Sequence, residues 1–126
     1  MGFIKDRFVS LGFALKGIKA FVMSEVHAKV HLVSGTLAVL CGLCLSLSTT
    51  EWSIVILCII SVLSAEAFNT AIELLLDFIH PEHHEKVGKI KDISAGAVLF
   101  LSFGSLIIGG FVFLPKIIEL IKMYSF

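Results

Sequence analysis

The stretch Ser64-Ala65-Glu66-Ala67-Phe68-Asn69-Thr70-Ala71-Ile72-Glu73-Leu74-Leu75-Leu76-Asp77 lies inside a long apolar run that opens at Trp52 and closes near Ile79. Glu66, Asn69, Glu73 and Asp77 follow one another at spacings of 3, 4 and 4 residues. At 3.6 residues per turn, these four and Thr70 fall within about 100° of a helix circumference. One stripe of an otherwise greasy helix therefore carries three carboxylates and an amide. A charge at a bilayer centre costs several kcal/mol even on the milder scales, so the stripe must face protein, water or a cation. A packing network between helices accounts for one Asn or Thr, since these bond across helices. It accounts poorly for three acids, which repel one another unless protonated or bound to metal.

On either side of this segment the chain is equally apolar. Of its 126 residues, 57% are hydrophobic and only 16% are charged, with a mean hydropathy of +1.00. Soluble domains average about 45–50% apolar and about 25% charged residues. A membrane span needs about 20 mostly apolar residues, and three stretches qualify, at residues 30–47, 52–79 and 93–114, the last closed by Pro115. The expected architecture is an all-α membrane protein forming one domain over residues 1–126. Ten basic and ten acidic residues balance, so no basic field points to nucleic acid. Cys41, Cys44 and Cys58 all lie in apolar runs, which argues against a disulfide framework.

Residues 3–24 read differently. Ile4, Phe8, Leu11, Leu15, Ile18 and Val22 recur at alternating spacings of 4 and 3, one stripe of a helix, with Lys5, Lys16 and Lys19 to one side. That pattern predicts an amphipathic helix lying in the membrane interface rather than a cleavable signal peptide. Eight basic residues (Lys5, Arg7, Lys16, Lys19, Lys29, Lys86, Lys89 and Lys91) fall before the first span or in the polar link at residues 80–92. Only Lys116 and Lys122 fall on the other side. The positive-inside rule then places the N-terminus and the 80–92 link in the cytoplasm.

Hard divalent cations take carboxylate oxygens, and Mg²⁺ is commonly held by one or two carboxylates together with substrate phosphates. Asp77 leads into the basic cytoplasmic link, an arrangement that suits an anionic, metal-bound ligand arriving from that side. Glu25, just before the first span, stands at the same boundary and reaches the same site if the interfacial helix folds back. No phosphate-cradling loop is present: Gly88-Lys89 is followed by Ile90, and a Walker A glycine is replaced by His83.

These residues resemble the prokaryotic diacylglycerol kinase family. Its central motif, E-x-x-N-[ST]-A-I-E-x-x-x-D, is matched by Glu66, Asn69-Thr70-Ala71-Ile72-Glu73 and Asp77. Pro81-Glu82-His83-His84, Gly88-Lys89-Ile90-Lys91-Asp92 and Ser94-Ala95-Gly96-Ala97 match the segments that follow, and Phe13-Ala14-Leu15-Lys16-Gly17-Ile18-Lys19-Ala20 with Glu25 matches the opening. The resemblance covers about residues 5–115. It implies a surface helix and three transmembrane helices assembled as a homotrimer, with active sites built partly between subunits at the membrane–cytoplasm boundary of the bacterial inner membrane. It implies transfer of the γ-phosphate of ATP, with Mg²⁺, to a membrane lipid hydroxyl. By carry-over Glu66 is the catalytic base, and Glu25 and Glu73 bind metal and phosphates. Asn69 and Asp77 support the site, and Glu82, His84, Lys91 and Asp92 contact the nucleotide. Phe13 stands where one branch has a nucleotide-stacking Tyr.

Physical chemistry is consistent with those roles. Phosphoryl transfer needs positioning, charge neutralisation and a base for the attacking hydroxyl. Glu66 is the signature acid farthest from the link, about 16 Å of helix from Asp77, where a lipid hydroxyl meets it. Glu73 is two turns closer to the cytoplasm, where metal and phosphates sit, and Lys91 stabilises charge developing on the phosphate. The family has a diacylglycerol and an undecaprenol branch. His31 in place of an acid, Thr70 in place of Ser, and the run from Lys91 to Leu99 lean towards undecaprenol. The alternative reading is a small proton-coupled transporter using the intramembrane carboxylates. A zinc site at His27, His31, His80, His83 and His84 is not expected, for want of H-E-x-x-H or nearby loop cysteines. No chemistry is assigned to Cys41-x-x-Cys44, which sits within a span. Ser105 and Gly109 form a small-xxx-small pair that favours close helix packing.

Overall fold

A computed structural model of the chain describes residues 2–125. The domain expected over residues 1–126 includes Met1 and Phe126, which lie outside the described residues. Four helices follow one another: α1 (Gly2–Ser24), α2 (Val26–Cys44), α3 (Thr49–Ile79) and α4 (Glu85–Tyr124), with no strand among the described residues. The last three are long and apolar enough to cross a membrane. At 1.5 Å per residue, α3 and α4 are about 46 and about 60 Å long, more than the roughly 30 Å of a hydrocarbon core.

Each break in the helical chain has a local cause. At the first, Glu25 leaves helical geometry (φ −94°, ψ 127°) and serves as the N-cap of α2. One acidic residue thus separates α1 from the first span. Next, α2 ends at Cys44, short of the expected Leu47, because Ser46 adopts φ 50° and turns the backbone. The Leu47 amide then reaches back to the Gly42 carbonyl at 3.3 Å, the C-terminal closure in which a left-handed residue satisfies an orphan acceptor. Immediately after, Ser48 and Glu51 form a reciprocal cap. The Ser48 amide donates to Glu51 Oε2 at 2.7 Å and the Ser48 hydroxyl accepts from the Glu51 amide, so α3 starts at Thr49 rather than Trp52.

Two further expectations are corrected. Most of the link at residues 80–92 is helical: only residues 80–84 leave the helix, and α4 begins at Glu85. His84 caps it, its Nδ1 accepting from the Lys86 amide at 3.2 Å, and Glu85 places negative charge at the positive end of the helix dipole. Nor does Pro115 close the last helix; α4 runs through it to Tyr124. A proline removes one intrahelical donor, a loss that transmembrane helices accommodate with local adjustments. Just past it, Lys116 Nζ lies 3.3 Å from Glu51 Oε2, which ties α4 beyond the proline to the start of α3.

α3 is the central element, packing against both α4 and α2, while α1 touches α2 lightly. Leu47, Val55 and Val112 form a small core, flanked by Ala38, Leu45, Trp52, Ile59 and Phe113. Elsewhere the large apolar side chains are mostly exposed, including Ile4, Phe8, Leu11, Leu15 and Ile18 of the α1 stripe. Such extensive exposed apolar surface is the mark of a chain whose solvent is lipid or its own copies. Between α2 and α4, floored by α3, runs an apolar groove of about 690 Å³.

α2 approaches α3 closely because Gly42 has no side chain: a Cβ there would stand 2.8 Å from Cη2 of Trp52. Gly42→Val is expected to cost about 1–3 kcal/mol by overpacking. A lower thermal midpoint and a shifted emission from Trp52, the single tryptophan of the chain, would register it; an unchanged midpoint would show that the indole moves aside freely.

Candidate active site

The polar stripe foreseen on α3 exists, and it is graded along the helix. Glu66 is only 4% exposed, and Asn69 and Thr70 are also buried. Glu73 is half-buried, and Asp77 is exposed. Buried polar groups normally have partners, and a buried charge in an apolar setting calls for one strongly. Among the described residues nothing hydrogen-bonds the Glu66 carboxylate. Asn69 Nδ2 donates to Glu73 Oε1 at 3.0 Å, a contact between neighbours one turn apart. Asn69 Oδ1 is buried without any partner. This end of the stripe therefore offers a mostly buried carboxylate, an orphaned amide oxygen and a second carboxylate with one oxygen committed.

Farther along, Lys91 Nζ reaches Asp77 Oδ1 at 2.5 Å, joining the last turns of α3 to the second turn of α4. The non-helical turn between them is organised from within. His80 Nδ1 lies 3.1 Å from the Glu82 carbonyl, and the His80 and His84 rings stand 5.2 Å apart, tilted by 55°. Because His84 Nδ1 accepts the Lys86 amide, a neutral His84 carries its proton on Nε2, which leaves an N–H donor for a ligand. Glu82 and Asp92 are exposed.

The structure thus pairs Asn69 with Glu73 and Asp77 with Lys91. It does not join Phe13 or Glu25 to the stripe. Phe13 is exposed on α1, its ring 5.7 Å from Lys16 Nζ. Half-buried Glu25 accepts a hydrogen bond from the Ser24 hydroxyl at 3.3 Å. Among the described residues no three Asp, Glu, His or Cys side chains converge as a metal cluster. The donors on the stripe are nonetheless hard oxygens, and the orphaned Asn69 Oδ1 beside Glu73 fits a hard cation or its water shell. Sequence spacing does not reveal the Asp77–Lys91 pair while residues 85–92 are read as part of the polar link between spans. Read as helix, that segment puts Lys91 opposite the end of α3.

Below Glu66 the same face of α3 turns apolar. Val62, one turn earlier, lines the groove between α2 and α4 together with Val30, His31, Val55, Phe113 and Ile117. A buried acid therefore stands one turn beyond Val62, the last α3 residue of the apolar groove, with oxygen donors and a cation farther along the helix.

The chain is similar in sequence to known proteins over most of its length. The sequence model of the family described as prokaryotic diacylglycerol kinase matches residues 12–113. The chain is 37% identical over 110 residues to an undecaprenol kinase of Bacillus subtilis (strain 168), covering 87% of this chain and 89% of that one. It is 32% identical over 88 residues to a diacylglycerol kinase of Escherichia coli (strain K12), covering 70% and 72% respectively. A diacylglycerol kinase of Synechocystis sp. is 27% identical over 113 residues, covering 89% of this chain and 65% of that protein. A polar stripe of this composition on a membrane helix, in a chain matched over most of its length, identifies the protein as a member of the prokaryotic diacylglycerol kinase family, integral membrane phosphotransferases that act on an alcohol.

Proposed function

We propose that this lipid kinase transfers the γ-phosphate of ATP, with Mg²⁺, to the hydroxyl of undecaprenol in preference to diacylglycerol, at the cytoplasmic face of the bacterial inner membrane. The observation that carries the reading is the order of groups along α3: apolar groove, buried Glu66, the Asn69–Glu73 pair, then the Asp77–Lys91 pair. That order matches an acceptor whose tail lies in the groove and whose hydroxyl meets Glu66, with phosphates lying towards Lys91. Glu66 takes the hydroxyl proton as the oxygen bonds the γ-phosphorus and the bond to the β-phosphate oxygen breaks, leaving a lipid phosphate and ADP.

Glu73 and Asn69 Oδ1 are the oxygen donors available to Mg²⁺ on the stripe, and Glu25 joins them when α1 and α2 bring it close. The metal supplies charge neutralisation on the phosphates. Lys91 adds a cation, the Nε2–H of His84 adds a donor, and Glu82, Asp92 and Phe13 complete the nucleotide contacts. The bias of basic residues supports a cytoplasmic N-terminus. Family resemblance supports a homotrimer. The preference for undecaprenol rests on the Bacillus subtilis relative, which is named for that acceptor, and on His31 and Thr70.

Purified protein in mixed micelles with γ-labelled ATP is expected to label undecaprenol, to label diacylglycerol less, and to lose both signals when Mg²⁺ is chelated. No label in either lipid, from protein shown to be folded, overturns the kinase reading. Glu66→Gln removes the base but keeps the shape, and transfer should fall by about 10²–10⁴-fold with an unchanged elution volume. Loss of assembly in that variant would instead make Glu66 a packing residue.

A further inference from the structure

Asp77 and Lys91 form an ion pair that is 62% and 32% exposed. Pairs this open to water contribute little to stability, so the contact calls for another explanation, and its position supplies one. Asp77 follows Glu73 by one turn and Asn69 by two on the same face of α3. Lysine carries its charge on a flexible four-carbon stem, and a free ammonium sweeps a wide arc. Held by Asp77, the Lys91 ammonium sits in register with the stripe, about 6 Å of helix rise beyond Glu73. Lys86 and Lys89 leave α4 on other faces and make no ion pair among the described residues.

We infer that Asp77 is a positioning residue for Lys91, fixing its ammonium in line with Glu73 so that nucleotide phosphates meet the cation already in place. The ammonium has three N–H donors. Asp77 takes one, which leaves two for phosphate oxygens, so the pair need not break when a nucleotide binds. The same contact closes the base of the turn that carries Glu82 and His84. The inference rests on the kinase reading, since it needs phosphates to position.

Steady-state transfer from γ-labelled ATP to undecaprenol, with Mg²⁺ and the full-length protein in mixed micelles, tests it. Label transfer by the unaltered protein comes first; its absence overturns the kinase reading and this inference with it. With transfer in hand, Asp77→Asn should raise KM for ATP about tenfold while kcat changes less than about threefold, the pattern of lost binding that is shared by ground and transition states. Asp77→Glu keeps the charge but shifts the ammonium by a bond length, and should raise KM about threefold. The exchange Asp77→Lys/Lys91→Asp restores an ion pair with the cation on the wrong helix. It should keep the thermal midpoint and Trp52 emission of the unaltered protein while losing about 100-fold or more in kcat/KM. Recovery of activity by the exchange, or an unchanged KM in Asp77→Asn, makes the pair a mere staple of the hairpin and overturns the inference. Should Asp77→Asn fail to fold, Asp77→Glu decides: an unchanged KM for ATP refutes positioning.

Discussion

Glu51 and Asp77 are 26 residues apart on α3, and their partners Lys116 and Lys91 are 25 residues apart on α4. At 1.5 Å per residue these distances are about 39 and about 38 Å. The two antiparallel helices therefore run in step for the whole depth of a bilayer and are closed by an ion pair at each end. Pairs open or half-open to water do not hold the hairpin together energetically; apolar packing of α3 on α4 and the membrane do that. The pairs mark the axial register instead. A slide of one turn would separate both at once. Apart from Phe13 and Glu25, every group of the candidate site lies on α3, on α4 or in the turn between them, so the register of this hairpin sets the geometry on which most of the chemistry depends.

Along α3, residues 55, 59, 62, 66, 69, 73 and 77 share one face. Its first three positions floor an apolar groove and its last four are acidic or amide. Glu66 is where the character changes. A side chain at such a boundary touches an apolar tail on one side and a polar head on the other, and this is the situation of the hydroxyl of a membrane lipid. On the proposed reading, the acceptor is selected by that junction more than by any pocket shaped around its head. Substrates with different tails but one terminal hydroxyl then differ mainly in how they fill the groove.

Much of this was legible in the residues. The 3-4-4 spacing on an apolar helix located the stripe, and hydropathy located the three long helices. Two readings failed for one physical reason. Apolarity reports immersion in lipid and not helicity, so it missed the two turns of α4 that precede its apolar part and wrongly ended that helix at Pro115. Residues 85–92 are polar yet helical because His84 caps them and Glu85 suits the helix dipole. The break at Glu25 and the turn at Ser46 each hinge on a single backbone geometry, which spacing does not encode. The Asp77–Lys91 contact needed the hairpin to be closed before it could be seen, since its partners are 14 residues apart across a turn.

What a single chain brings together and what it leaves apart bears on assembly. Glu66 is mostly buried within one chain, and Asn69–Glu73 and Asp77–Lys91 are formed within it. Phe13 and Glu25, by contrast, stay apart from the stripe, at the end of the molecule where α1 touches the rest only lightly. Meanwhile the core is small and most large apolar side chains lie open. Lipid covers such surfaces without ordering them, whereas a neighbouring copy covers them and also restricts where α1 and the Glu25 junction can lie. In the proposed homotrimer, base and phosphate-facing groups are built by one hairpin, and the remaining metal and nucleotide contacts depend on how the α1–α2 junction is held. On the proposed reading, changes at subunit contacts act on nucleotide and metal binding before they reach the burial of Glu66.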